Sequence, residues 1–392
     1  MYKHKHNKDI ENVLILQGGG SLGAFGCGVC KTFAKKGIKL DIIAGTSIGA
    51  INGAIMGGSK NDNPAKDLED FWIEIAESSH NIIPDTFSYE YDYKNYQLNM
   101  KKSSSASLNA AIFGVAKFFV PRWFHWNVFP SNDFNILPSN WTYIYDNTPL
   151  AKTLEKYIDF RKLSPTTGQN GINSNNKSDI NNSNTRLIIT AVDVLSAEPI
   201  IFDSYTTQIE MKHLLATIGY PQYGFPWVDM DDGIYAWDGS LLSNTPIREV
   251  MVASPTNDKN IFIVENYPKK IDKLPTNITE VQSRAKDIMF TDKDLSLKKM
   301  SRLITKHINL IETLYNVFKE YDHSKLDKNI VDYIENEHKL LVEKFGAKIL
   351  KIIKISRENI KTPYPSQNAD FSINTIKELI IRGENKALSI LK

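Results

Sequence analysis

Two short apolar runs, NVLILQ (12–17) and KLDIIA (39–44), each end in a glycine-rich step and continue into helix-forming sequence. Nothing else in the chain constrains its fold as strongly. Between the runs, residues 21–36 set Leu22, Phe25, Cys30, Phe33 and Ala34 on one broad helical face and close at Gly37. After the second run, SIGAINGAIMGG (47–58) reads as a helix built of small residues. Strand, helix, strand, helix in under fifty residues predicts a parallel sheet with right-handed crossovers, because only a crossover returns the chain to run in the same direction. The expected class is α/β.

The remaining chain divides by composition. PAKDLEDFWIEIAESS (64–79) adds a helix, with Pro64 near its start. Residues 81–147 form an aromatic, proline-punctuated, cap-like insertion, densest at FGVAKFFVPRWFHWNVF (113–129). There Phe113, Phe118, Phe119, Trp123, Phe124, Trp126 and Phe129 either cap an apolar pocket or dip into a lipid interface, where Lys117 and Arg122 suit phosphate headgroups. Residues 168–184 are Asn-rich with almost nothing to bury, and read as a mobile loop. Strands follow at 186–194 and 198–204, a helix around His213 to Thr217, and a last core strand at 260–268. We divide the chain into a domain at 10–268 and a helical C-terminal extension at 269–392. Residues 296–361 carry fourteen Lys and Arg against nine Asp and Glu, which suits a solvated helical face or a weak attraction to anionic lipid.

Composition removes several classes of function. Basic and acidic residues nearly cancel, 47 against 45, so no broad nucleic-acid footprint is expected. Cys27 and Cys30 have no second pair and no neighbouring histidines, so no zinc site, other metal or cofactor is expected, and buried thiols are favoured over a redox pair. The polar start MYKHKHNKDIEN does not read as a secretory signal, and AAIFGVAKFFV (110–120) falls short of a bilayer span. The expectation is a cytoplasmic protein, either soluble or peripheral at a membrane.

The second glycine-rich step is Gly45-Thr46-Ser47-Ile48-Gly49, a G-x-S-x-G between strand and helix. Such an elbow projects a serine hydroxyl outward at the positive end of a helix. The first step, GGGSLG (18–23), also satisfies the dinucleotide pattern G-x-G-x-x-G. That reading needs an acidic residue at the end of the second strand, whereas Asp41 precedes the apolar run. Adjacent parallel strands end at one sheet edge, so the Gly18, Gly19 and Gly20 amides are better used as oxyanion donors beside Ser47. A triad would need a histidine, yet His307, His323 and His338 lie in charged helical sequence, and His80, His125 and His213 come too early. The carboxylate that stands out is Asp238 in YAWDGSLLSNTPI, followed by Gly239. Trp237, Tyr235 and Phe225 are candidates for an apolar surrounding that would raise its basicity.

GGGSLGAFGCGV, GTSIGAINGA and WDGSLLSNTPI, in this order, resemble the patatin-like phospholipases over about residues 12–268. The resemblance implies a three-layer α/β/α fold with a mostly parallel sheet and no cofactor. It also implies a Ser–Asp dyad: Ser47 as nucleophile, Asp238 as base, and Gly18, Gly19 and Gly20 as the oxyanion hole, with Gly23, Gly45, Gly49 and Gly239 shaping the turns. Two positions depart from the family pattern: Leu22 stands where many members carry Arg or Lys, and Ser240 follows Asp238-Gly239 where Gly or Ala is usual. The implied function is a serine lipid acyl hydrolase, phospholipase A-like, acting on fatty-acyl esters. An esterase for short-chain or polymeric esters and a lipid-binding regulator with weak or no turnover are the alternatives.

Overall fold

The computed structural model describes residues 9–79, 82, 96–124, 140–165, 185–291, 295–323, 326–358 and 367–391. Residues 10–58 build β1 (Ile10–Leu16), α1 (Gly23–Lys35), β2 (Ile42–Thr46) and α2 (Ile48–Gly58), followed by α3 (Pro64–Glu77). Next come α4 (Tyr96–Phe113), a small hairpin of β3 (Val120–Pro121) with β4 (Tyr145–Asp146), and α5 (Thr148–Tyr157). The main sheet resumes with β5 (Arg186–Asp193), β6 (Pro199–Asp203), β7 (Val228–Asp229), β8 (Tyr235–Asp238) and β9 (Asp258–Glu265). Helices α6 (Met211–Thr217) and α7 (Ile247–Ala253) are set among them. The C-terminal helices expected from the sequence are present as α8 (Ile278–Phe290), α9 (Leu295–Lys319), α10 (Lys328–His338) and α11 (Ile373–Ile390). They are interrupted by β10 (Ile349–Ser356), a strand that the sequence reading, which ends the sheet at 260–268, does not anticipate.

The sheet runs β10-β9-β1-β2-β5-β8-β7, with β6 on the other edge of β5. From β10 to β5 all pairings are parallel, while β6, β8 and β7 join antiparallel. Buried strands alternate their side chains between two cores, which makes the architecture three-layered. Leu14, Leu16 and Ile43 face the larger core with α1, α2 and α3, while Val13, Ile15, Ile42 and Ala44 face the smaller one under α7. The α/β/α class expected from the sequence is the class observed. α11 lies along α1 and buries Ile376, Leu379, Ile380 and Ala387, so the C-terminal residues contribute to a helical layer as well as to the sheet.

β5 explains how the far end of the chain reaches β2. Its residues 188–190 pair with β2 and with β6, so those two strands take opposite edges. Residues 191 and 192 pair with β6 and with β8, so β8 shares β2's edge. β2 occupies rungs 186–190 and β8 takes over at 191, arriving antiparallel against the end of β2. The Asn-rich tract 168–184 lies outside the described residues.

Candidate functional site

Ser47 stands at the junction of β2 and α2 with φ 56° and ψ −133°, a conformation that side-chain-bearing residues rarely adopt. Long-range bonds hold it there. Its N–H donates to Thr217 Oγ1 at 2.9 Å, and that hydroxyl donates to the Thr190 carbonyl at 2.7 Å. Its carbonyl accepts the first N–H bonds of α2, from Ala50 and Ile51. Gly49 makes the turn sterically feasible, since a Cβ there would lie 2.1 Å from the Leu16 carbonyl oxygen. Gly23, Gly45 and Gly239 are buried at the same junctions, against Ile48, Gly49 and Thr190 respectively.

Asp238 ends β8 and is only 1% exposed. Its Oδ1 accepts the Ser240 N–H at 2.8 Å, and the nearby Ser47 hydroxyl also favours the charged form of the carboxylate. Burial pushes the carboxyl pKa up to about 6, against the opposing pull of the Ser240 and Ser47 donors. Of the three aromatics expected around it, Phe225 lines the same cavity, while Tyr235 and Trp237 do not; Trp237 meets Trp227 edge-on at 6.1 Å.

The glycine step after β1 abuts Ser47: a Cβ on Gly18 would lie 2.7 Å from Ser47 Cβ. The Gly18 N–H is already engaged, donating to Asn244 Oδ1 at 2.8 Å. Asn266 Nδ2 donates to the Gln17 and Gly18 carbonyls at 2.9 and 3.1 Å, which fixes the direction of these peptides. Gly19 and Gly20 take φ values of 154° and 57°. Among the described residues their amides donate to no protein acceptor.

Ser47, Asp238 and Gly18 to Gly20 line one cavity of about 460 Å3. Its other walls are mainly apolar, with Phe118, Phe119, Ile144, Ile218, Phe290 and Phe371 among them, and a volume in this range accepts an elongated small-molecule segment. Phe118 and Phe119 are therefore cap core, and Trp123 is half-buried against Tyr145. Phe113 is half-buried, while the side chain of Phe124, and Trp126 and Phe129, lie outside the described residues. The two cations expected to meet phosphate are engaged elsewhere: Lys117 pairs with Glu74 at 2.8 Å, and Arg122 stacks on Trp141 and Tyr143.

Among the described residues no histidine lines the cavity. His213 Nδ1 accepts the Glu210 N–H and its ring packs on Phe202; His323 and His338 stack on Phe318 and Tyr315; His307 is exposed. His80 and His125 lie outside the described residues. Cys27 and Cys30 are buried free thiols, and burial raises both pKa values, that of Cys30 to about 12.

Sequence reasoning gives no role to Thr217, Asn244 or Asn266. Asn244 at least lies in the stretch that carries Asp238, whereas Thr217 and Asn266 act across large sequence separations with no local signal. The same holds for Tyr267, Lys286, Phe290, Asn368, Ala369 and Phe371, which complete the cavity from beyond residue 266.

A family model described as "Patatin-like phospholipase" matches residues 14–251. Among solved structures, VipD from Legionella pneumophila is similar at 13% identity and a TM-score of 0.34, covering 100% of this chain and 69% of that one. No curated protein matches.

Proposed function

The chain belongs to the patatin-like phospholipase family, whose members are lipid acyl hydrolases, and from that premise we propose that it cleaves fatty-acyl esters with a Ser47–Asp238 dyad. The observation that carries the reading is that Ser47, at the strained β2–α2 elbow, and the buried Asp238 carboxylate line one cavity with Gly19 and Gly20. An ordinary carboxylate is a feeble base toward an alcohol; a desolvated one is stronger.

Ser47 Oγ attacks the ester carbonyl carbon as its proton passes to Asp238. The carbonyl π electrons move onto oxygen, and the Gly19 and Gly20 amides receive that oxyanion; each such donor is typically worth about 3 kcal/mol. Gly18 serves as the spacer that lets the loop lie against Ser47, its own N–H being held by Asn244. Collapse breaks the bond to the alcohol, which leaves with the proton from Asp238. Water then attacks the acyl-serine, Asp238 again takes a proton and returns it to Ser47 Oγ, and the fatty acid departs. The apolar walls suit the acyl chain, and the segment beyond residue 268 acts as the extension that closes them. No helix of the described residues is long and apolar enough to cross a membrane, so access to lipid is proposed through peripheral contact.

Fluorophosphonate labelling with peptide mapping tests the assignment. Modification at Ser47 that is lost in Asp238→Asn supports it; labelling elsewhere, or none with an intact fold, rejects it.

A further inference from the structure

Two charged side chains line the cavity among the described residues, Asp238 and Lys286. Asp238 is used by the proposed chemistry. Lys286 comes from α8, beyond the residues that match the family model. We propose that Lys286 binds the phosphate of a glycerolipid whose ester carbonyl lies at Ser47, so that phosphate-bearing glycerolipids are preferred over neutral ones. The proposal rests on the hydrolase reading and adds a determinant of substrate class.

Position comes first. Lys286 Nζ lies 3.3 Å from Asn368 Oδ1, and the Asn368 main-chain oxygen lies 2.3 Å from where a Cβ on Gly20 would sit. One residue therefore separates the ammonium from the glycine step. The phosphate of a glycerophospholipid is only a few bonds from its ester carbonyls, so an ester at Ser47 brings the phosphate into this neighbourhood.

Charge and shape agree with that placement. The ammonium stands 5.3 Å from the Tyr223 ring and is half-buried, and desolvation lowers its pKa although Asp287 opposes the shift. An ammonium stripped of water gains more from an arriving anion than an exposed one does. Asp238 repels the same anion, so the two charges orient the headgroup toward α8 and away from the base. Phe290, four residues after Lys286 and on the same helical face, lines the apolar wall. One helix thus offers a cation and an apolar surface side by side, matching the anionic and apolar parts of one amphiphile.

The full-length protein is assayed on dihexanoyl glycerophosphate and on dihexanoylglycerol, which share acyl chains and differ by the phosphate. Wild type should favour the glycerophosphate. Lys286→Met should lower the ratio of kcat/KM on the glycerophosphate to that on the neutral ester about tenfold or more, chiefly through KM on the glycerophosphate, while Lys286→Arg keeps most of the preference. Turnover of the neutral ester also reports that the variant is folded. Equal losses on both substrates, or no loss on the glycerophosphate, overturn this proposal and leave the hydrolase reading standing. If wild type turns over neither ester, both fall.

Discussion

Thr46 and Asp238 occupy consecutive rungs on one edge of β5: Thr46 pairs with Thr190, and Asp238 with Ala191. The candidate base is thus placed by the sheet ladder rather than by a loop, one step beyond the end of the strand that presents Ser47. With the Cα fixed in this way, side-chain length decides where the carboxylate sits. Asp238→Asn should lower kcat about 10²–10⁴-fold, the usual worth of a positioned base. Asp238→Glu should recover little of it, since its extra methylene must fit beside Ser47 in a fully buried site. Steady-state hydrolysis of a chromogenic acyl ester measures both; near-wild-type turnover by the Asn variant rejects the dyad.

The same burial sets a pH dependence. With its carboxyl raised to about 6, Asp238 is increasingly protonated below that pH and cannot accept the serine proton. The acid limb of kcat/KM should therefore fall near pH 6 rather than near 4. A profile flat down to pH 4.5 in a protein that stays folded would dismiss Asp238 as the base.

Stability moves the opposite way. The folded carboxyl pKa lies above its unfolded value, so between about pH 4 and 6 the native state binds more protons and stability falls as pH rises. Above pH 6 the full cost is present, about 3 kcal/mol for a carboxyl raised from the ordinary range to about 6. Asp238→Asn, which removes the charge and keeps the shape, should melt higher than wild type at pH 8, with the gap closing toward pH 4. A gap independent of pH would mean the carboxylate is not strained by burial.

Backbone strain at Ser47 gives a separate readout. At φ 56° and ψ −133° the cost falls on any residue with a Cβ, about 1–3 kcal/mol, and glycine avoids it. Ser47→Gly and Ser47→Ala should both be inactive, yet the glycine variant should be the more stable by about 1 kcal/mol once its larger unfolded-state entropy is counted. Equal denaturation midpoints would show that the elbow stores no strain.

Legibility in the sequence follows the range of the interactions. Val13 to Leu16 of β1 and the whole of β2 are buried on both faces, which leaves an apolar run in each, and Ser47 is marked by five contiguous residues. Asp238 needed the longer stretch around it, because an Asp-Gly turn alone says little. β10 is hidden in the sequence because ILKIIKIS spaces Lys351 and Lys354 three apart, a helical rhythm that its parallel pairing with β9 overrides. The sharing of one β5 edge by two strands, and the capture of the Gly18 amide by Asn244, join positions far apart in the chain and leave no periodic trace. Lys286 is one lysine among many until the fold sets it beside the glycine step.

On the proposed function the protein meets its substrate at a lipid surface, and the exposed apolar stripe of α9 is the face expected to make that contact. Leu303, Leu310, Leu314 and Val317 recur at helical spacing and are all exposed, between 47% and 64%. Such a stripe costs free energy in water and gains it in the headgroup region of a bilayer, by about 25 cal/mol per Å2 removed from water. Neighbouring Lys306 is exposed and favours anionic lipid. Leu310→Glu with Leu314→Glu should release the protein from phosphatidylglycerol vesicles in a flotation assay, while turnover of a soluble short-chain ester stays within about twofold, because α9 lines no part of the cavity among the described residues. Unchanged flotation would remove α9 as the contact; a matching fall in soluble turnover would mean the double variant had disturbed the fold instead.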